Sequence, residues 1–172
     1  GISGVSAAVS THGMERVRAQ VAATAAALGQ PLRFRVGKPG LDGHSNGAEQ
    51  IAIRARDAGF EVVYQGIRLS PEQIVAAAVE EDVDVVGLSI LSGSHRDLVP
   101  AVLEGLRAAG AGEVPLVVGG IIPQDDAQWL IGIGVRAVFT PRDYDATAIM
   151  DRVLAVVREA NGLPVQEQEC AS

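Results

Sequence analysis

The residues best placed to do chemistry stand in one short run, Asp42-Gly43-His44-Ser45-Asn46-Gly47. An imidazole follows a carboxylate by two positions, between glycines. At that spacing the aspartate can accept one ring N–H, which fixes the tautomer and makes the other nitrogen a better ligand. Lys38 lies close enough in sequence to pair with Asp42. Gly40, Gly43 and Gly47 would let the backbone approach a large flat group without Cβ clashes. A lone loop histidine is ordinarily a solvated surface residue. What raises this one is whatever the fold brings beside it.

The elements that must position the run alternate regularly. An Ala-rich amphipathic pattern over 14–29 predicts a helix stopped by Gly29 and Pro31. Strands are expected at 32–37, 61–66, 82–90, 114–120 and 135–140, separated by helices at 47–59, from Ser70-Pro71 onward, at 95–109 and at 123–132. A last helix covers 145–160. Ser70 followed by Pro71 is an N-cap followed by proline at the first helical position. The alternation predicts an α/β domain, a five-stranded parallel sheet with helices on both faces and right-handed crossovers. The expected strand order is 2-1-3-4-5, the flavodoxin-like (Rossmann-like) arrangement. Its switch point lies between strands 1 and 3, and ligands sit outside the carboxyl ends of the strands there.

Composition narrows the classes of function. Of 172 residues, 48% are apolar but only 3% aromatic, so the core must be aliphatic. A net charge of −7 argues against nucleic acid and against anionic membrane surfaces. The single cysteine, Cys170, excludes a disulfide framework and a multi-cysteine metal site. No run reaches the ~18 apolar residues of a membrane span, and no signal-peptide pattern opens the chain, so a cytoplasmic location is expected. Gly1 in place of Met suggests a processed chain or a piece of a longer one.

In this topology several loops converge on one sheet edge. The first carries Lys38 to Asn46, the third begins Ser89-Ile90-Leu91-Ser92, the fourth contains Gly119-Gly120, and the fifth strand ends in Thr140-Pro141. A phosphate-binding P-loop needs Gly-Lys-Ser/Thr after a glycine-rich run, and Gly37-Lys38-Pro39-Gly40 has the wrong order. The glycine spacing also fails the dinucleotide fingerprint. A phosphoacceptor receiver would place an aspartate where Ser89 stands. A zinc site needs three or four ligands, against one histidine and one aspartate here. A cofactor that brings its own equatorial ligands and needs one axial base would fit. His95 opens a helix and His12 has no neighbouring partner, so both read as structural.

Asp42-x-His44-x-x-Gly47, then Ser89-x-Leu91, then Gly119-Gly120, in this order and at these strand ends, resemble the signature of base-off, His-on cobalamin-binding domains. Within that family, KPGLDGHSNGAEQIA and GLSILSGSH resemble the acyl-CoA mutase branch, most of all ethylmalonyl-CoA mutases. The resemblance implies that His44 ligates cobalt in place of the cofactor's dimethylbenzimidazole. It further implies that Asp42 orients His44 with support from Lys38. Ser89 and Leu91 would line the slot for the displaced tail, with Ser89 offering a hydrogen bond to its base, Gly119 and Gly120 would flank it, and Thr140-Pro141 would close its far end. Ser92 would bind the cofactor on the open edge that also carries Gly43 and His44, the edge expected to dock on the catalytic partner. Gly43 and Gly47 would shape the approach to the corrin ring.

The implied function is the cofactor-binding domain or small subunit of an adenosylcobalamin-dependent mutase (an isomerase). A methyl-carrying corrinoid protein and a cobalamin-dependent sensor are the alternatives. The implied partners are a catalytic (β/α)₈ barrel, an adenosyltransferase and a GTPase chaperone, within a homodimeric enzyme. Residues 1–31 then read as a connector with one helix, 32–160 as the cobalamin domain, and 161–172 as a flexible tail. A barrel typically needs ~250 residues, so turnover by this chain alone is not expected.

Overall fold

Helices and strands alternate through a computed structural model that describes residues 2–39, 46–90, 95–143 and 145–165. In chain order they are α1 (Ile2–Leu28), β1 (Arg33–Pro39), α2 (Asn46–Asp57), β2 (Glu61–Leu69), α3 (Pro71–Glu80) and β3 (Val85–Ile90). There follow α4 (His95–Ala108), β4 (Leu116–Gly120), α5 (Gln124–Ile133), β5 (Ala137–Phe139) and α6 (Ala146–Ala160). The strands form one parallel sheet in the order β2-β1-β3-β4-β5, as the alternation predicts.

Burial on both faces explains why the central strands are runs of Val, Leu and Ile rather than alternating patterns. In β3, Val85, Val86, Gly87 and Leu88 are all buried. One face packs Phe34, Val36, Val85 and Val117 against α1, α2 and α6 through Val17, Val21, Ala52, Met150 and Val153. The other packs Val86, Leu88, Leu116 and Val118 against α3, α4 and α5 through Ile74, Val99, Leu106 and Leu130. Gly87 makes room for aromatic bulk on the first face: a Cβ there would stand 2.8 Å from the Phe34 ring.

Local chemistry sets the element ends. Ser70 and Gln73 close a capping box at the start of α3, with N–H···O distances of 3.1 and 2.8 Å, and Pro71 opens the helix. Asp145 accepts the Thr147 N–H at 2.9 Å and caps α6. Strand β3 starts at Val85, later than the alternation suggested. Asp82 turns the chain with φ +50°, and Asp84 uses its carboxylate to accept the Arg33 N–H at 2.7 Å. Strand β2 runs on to Leu69, paired with Pro39, beyond register shifts in β1 on either side of Gly37.

Helix α1 begins well before residue 14, and its second half packs on α6. Val17 and Val21 are buried, Arg16 pairs with Asp151 at 2.6 Å, and Arg158 donates to the Thr24 hydroxyl at 2.6 Å. After α6, Leu163 N–H donates to the Arg158 carbonyl at 2.9 Å, and Arg158 Nε donates to the Pro164 carbonyl at 2.7 Å. Among the described residues no helix is long and apolar enough to cross a membrane.

Candidate functional site at the sheet switch point

Strands β1 and β3 are neighbours although β2 intervenes in sequence, and this is the switch point of the sheet. A cavity of about 390 Å³ opens there, between the sheet and the helices α2 and α6. That volume lies in the ~300–1,000 Å³ range of small-molecule pockets. The sheet supplies its floor through Phe34, Val36, Gly87, Val117 and Phe139, and Ile51, Ile149 and Val153 supply the helical wall. Ser89, Gly119, Gly120, Thr140 and Pro141 line its mouth. Five residues singled out in the sequence, drawn from three separate segments, are therefore brought together.

The two glycines serve different ends. Gly120 has φ +154°, and a Cβ built there would stand 1.7 Å from the Ile90 carbonyl oxygen, so only glycine can hold the ends of β3 and β4 this close. At Gly119 the nearest atom to such a Cβ is 3.7 Å away, so the protein itself would accept a side chain. The space beside Gly119 belongs to the cavity. The turn after β5 is held by Asp143, whose carboxylate accepts the Thr140 N–H at 2.7 Å while its own N–H donates to the Thr140 carbonyl at 2.9 Å. Ser89 is half-buried and offers a hydroxyl to a mostly apolar lining, whose other polar side chains are Thr140 and Asp143.

Lys38, near the end of β1, is 1% exposed. An ammonium buried to that degree must be compensated by polar or anionic groups. Gly47 lies in the first turn of α2. Asp42, Gly43, His44, Leu91 and Ser92 lie outside the described residues.

Sequence reasoning missed most of the cavity floor. Its signal was present as strand alternation: Phe34 and Val36 in β1 share a face, as do Val117 and Gly119 in β4, and Ile149 and Val153 are spaced four apart on α6. Also missed was a polar cluster on the opposite face of the sheet. His95 Nε2 lies 2.9 Å from Asp126 Oδ2, and Arg96 donates to Asp126 Oδ1 while its guanidinium stands 5.3 Å from the Trp129 ring centre. The His95 hydrogen bond, helped by the Arg96 charge, holds the Asp126 carboxyl below its ordinary range, against the opposing effect of burial.

A larger cleft, about 490 Å³, lies along β5 and is lined by Arg136, Arg142 and Arg152. It stands at the outer edge of the sheet, away from the switch point, and gathers none of the residues marked by the sequence. The cavity at the switch point is the better candidate, because chemistry and topology coincide there.

A flavodoxin-like sheet with a mostly apolar cavity at its switch point defines an α/β domain with room for a small molecule. The chain belongs to the B12-binding domain family, whose model matches residues 32–155. It is 55% identical to the ethylmalonyl-CoA mutase of Cereibacter sphaeroides over 159 residues, which is 91% of this chain and 24% of that protein. The chain thus spans about a quarter of the length of that relative. It is also 39% identical over 127 residues to the 2-hydroxyisobutanoyl-CoA mutase small subunit of Aquincola tertiaricarbonis, covering 74% of this chain and 93% of that one. Among solved structures, a cobalamin-binding protein from Desulfitobacterium hafniense DCB-2 superposes with a TM-score of 0.63 at 20% identity, over 73% of this chain and 59% of that one. At that identity the likeness concerns the fold alone.

Proposed function

We propose that this chain is the cofactor-carrying part of an adenosylcobalamin-dependent acyl-CoA mutase and holds cobalamin base-off, with His44 as the lower ligand of cobalt. The observation that carries the reading is the apolar cavity whose mouth gathers Ser89, Gly119, Gly120, Thr140 and Pro141. A cofactor that gives up its own lower base must store that base somewhere, and a narrow slot free of a Cβ at Gly119 suits a flat heteroaromatic group. The fit extends to the polar groups: the half-buried Ser89 hydroxyl on a mostly apolar lining, with Thr140 and Asp143 at its β5 end, suits a flat ring with a single nitrogen to satisfy.

Each residue then has a role. His44 would hold cobalt through one ring nitrogen, and Asp42 would accept the N–H of the other and keep the ligating nitrogen basic. Lys38, buried in β1, would supply the charge that stabilises an ionised Asp42. Gly43 and Gly47 would leave room for the corrin edge, and Leu91 and Ser92 would join Ser89 in holding the cofactor. When bound, adenosylcobalamin supplies a weak cobalt–carbon bond, the source of the radical that carbon-skeleton rearrangement requires. The protein's own task is to hold the ring, orient the ligand and keep water from the tail slot. The acyl-CoA would be held by a catalytic barrel, and ethylmalonyl-CoA is the substrate that the 55% identity favours. An adenosyltransferase and a GTPase chaperone would load the cofactor into an enzyme that is a homodimer in the cytoplasm.

The test is spectroscopic. The chain is mixed with hydroxocobalamin and reduced to Co(II), and electron paramagnetic resonance is recorded with natural and ¹⁵N-labelled histidine. A superhyperfine pattern that changes with the label and disappears in His44→Ala is expected. A pattern indifferent to the label would refute the axial assignment. Acyl-CoA rearrangement is expected only when the barrel is supplied, and turnover by this chain alone would overturn the division of labour.

A further inference from the structure

The cluster around Asp126 has no part in the roles assigned above. His95, the first residue of α4, is 3% exposed, and its Nδ1 is buried without a hydrogen-bond partner among the described residues. A ring nitrogen buried in that way is costly. The same helix face continues with Val99, Val102 and Leu106, all buried, so an apolar side chain at 95 would serve the core without that cost. What the imidazole does make is the 2.9 Å contact from Nε2 to Asp126 in the first turn of α5. Asp126 is a carboxylate there, with Arg96 on its other oxygen, so His95 Nε2–H is the donor.

The two partners close a short circuit. Ser89 pairs with Gly119 and Ile90 with Gly120, and the contact of Gly120 with the Ile90 carbonyl allows no slack between these strand ends. Beyond Gly120 the chain passes through Ile121 to α5, which starts at Gln124, while α4 starts at His95. Among the described residues, the next side-chain hydrogen bond between the two segments is that of His95 with Asp126. Between these ties stands Ile121, 66% exposed and on the cavity lining.

We propose that the His95–Asp126 pair is a clasp that ties the first turn of α5 to the start of α4 and so sets the turn after β4, which carries Ile121 onto the lining of the slot that takes the cofactor's nucleotide tail. The proposal rests on the cobalamin reading. His95 and Asp126 are positioning residues, acting through Ile121 without touching the cofactor.

Two corrinoids separate this role from a merely structural one. Hydroxocobalamin carries the nucleotide tail, whereas aquacobinamide has the same ring without it. Dissociation constants for both are measured on the wild-type chain and on His95→Leu, His95→Gln, Asp126→Asn and the double variant His95→Leu/Asp126→Asn. The wild type should prefer hydroxocobalamin. In His95→Leu that preference should fall about tenfold, the effect of losing a charge-assisted hydrogen bond, with cobinamide affinity unchanged. Asp126→Asn keeps an acceptor but removes the charge and should lower the preference by about threefold. The double variant should lose no more than His95→Leu alone, since the two residues form one interaction. Glutamine retains a donor for Asp126 and should recover part of the preference. Thermal melts identify which variants remain folded, and Asp126→Asn carries the test should leucine at 95 prevent folding. Equal weakening for both corrinoids, or no weakening in folded variants, would overturn the clasp. A wild-type chain that binds neither corrinoid would overturn the cobalamin reading, and the clasp with it.

Discussion

Gly119 and Gly120 are adjacent and chemically identical, yet they answer to different demands. Gly120 is required by the protein, because its φ of +154° and the 1.7 Å approach of a Cβ to the Ile90 oxygen exclude any other residue. Gly120→Ala should therefore destabilise the free chain by about 3 kcal/mol or more, read from denaturant unfolding. Gly119 is not required by the protein itself, and in the cobalamin reading it keeps the slot open for the ligand. Gly119→Ala meets nothing closer than 3.7 Å and should leave the melting temperature of the free chain unchanged or slightly higher. Its methyl group would occupy slot space, and cobalamin affinity should fall roughly tenfold, the order of a 1–3 kcal/mol overpacking cost. Unchanged affinity in that variant would show that the slot beside β4 is not where the tail goes.

At the scale of elements, Asp84 shows how one side chain ties β1 to the start of β3. Its carboxylate accepts the Arg33 N–H at 2.7 Å, and burial raises its pKa above the ordinary 3.8, only partly opposed by that hydrogen bond. Asp84→Ala leaves a partly buried N–H unpaired and should cost about 1–3 kcal/mol. Asp84→Asn keeps an acceptor and removes the charge, so its cost should be below ~1 kcal/mol. The sign of the pH dependence follows from the raised value. The folded state holds the proton more tightly than the unfolded one, so the wild type loses stability as pH rises from 3.8 through the folded pKa. Relative to wild type, Asp84→Asn should thus do better at pH 7 than at pH 3, measured by chemical denaturation at each. A difference independent of pH would show that burial does not govern this carboxyl.

For the molecule as a whole, α1 is the element whose role changes most between a linear and a folded view. Its composition suits a connecting arm, and its second half also belongs to the core. Val17 and Val21 are 0% and 2% exposed and share a cluster with Met150, Val153 and Val157 of α6. Val21→Ala should cost about 2 kcal/mol, the loss of two buried methyl groups with partial cavity formation. Circular dichroism melts would measure it, and a change of under ~0.5 kcal/mol would show that α1 is not part of the cooperative unit. A helix rooted in this way would transmit movement of the domain to whatever precedes it more stiffly than a loose linker.

The class of fold and the sheet order were legible in the chain's pattern, because aliphatic strand runs alternating with amphipathic helices have few stable solutions. So were Ser89, Gly119, Gly120, Thr140 and Pro141, since residues at strand ends on the switch-point edge can be named from connectivity alone. That these five line a real cavity, with Phe34, Phe139, Ile149 and Val153 as its walls, emerged from packing in three dimensions. Hydrophobic residues that line a slot and those that fill a core carry the same periodic pattern, and only packing separates them. The same holds for His95. One position before Arg96 and thirty-one before Asp126, it looks in sequence like the opening residue of a helix. Its burial and its tie to α5 arise from two crossovers landing side by side on one face, a distance that linear spacing does not encode.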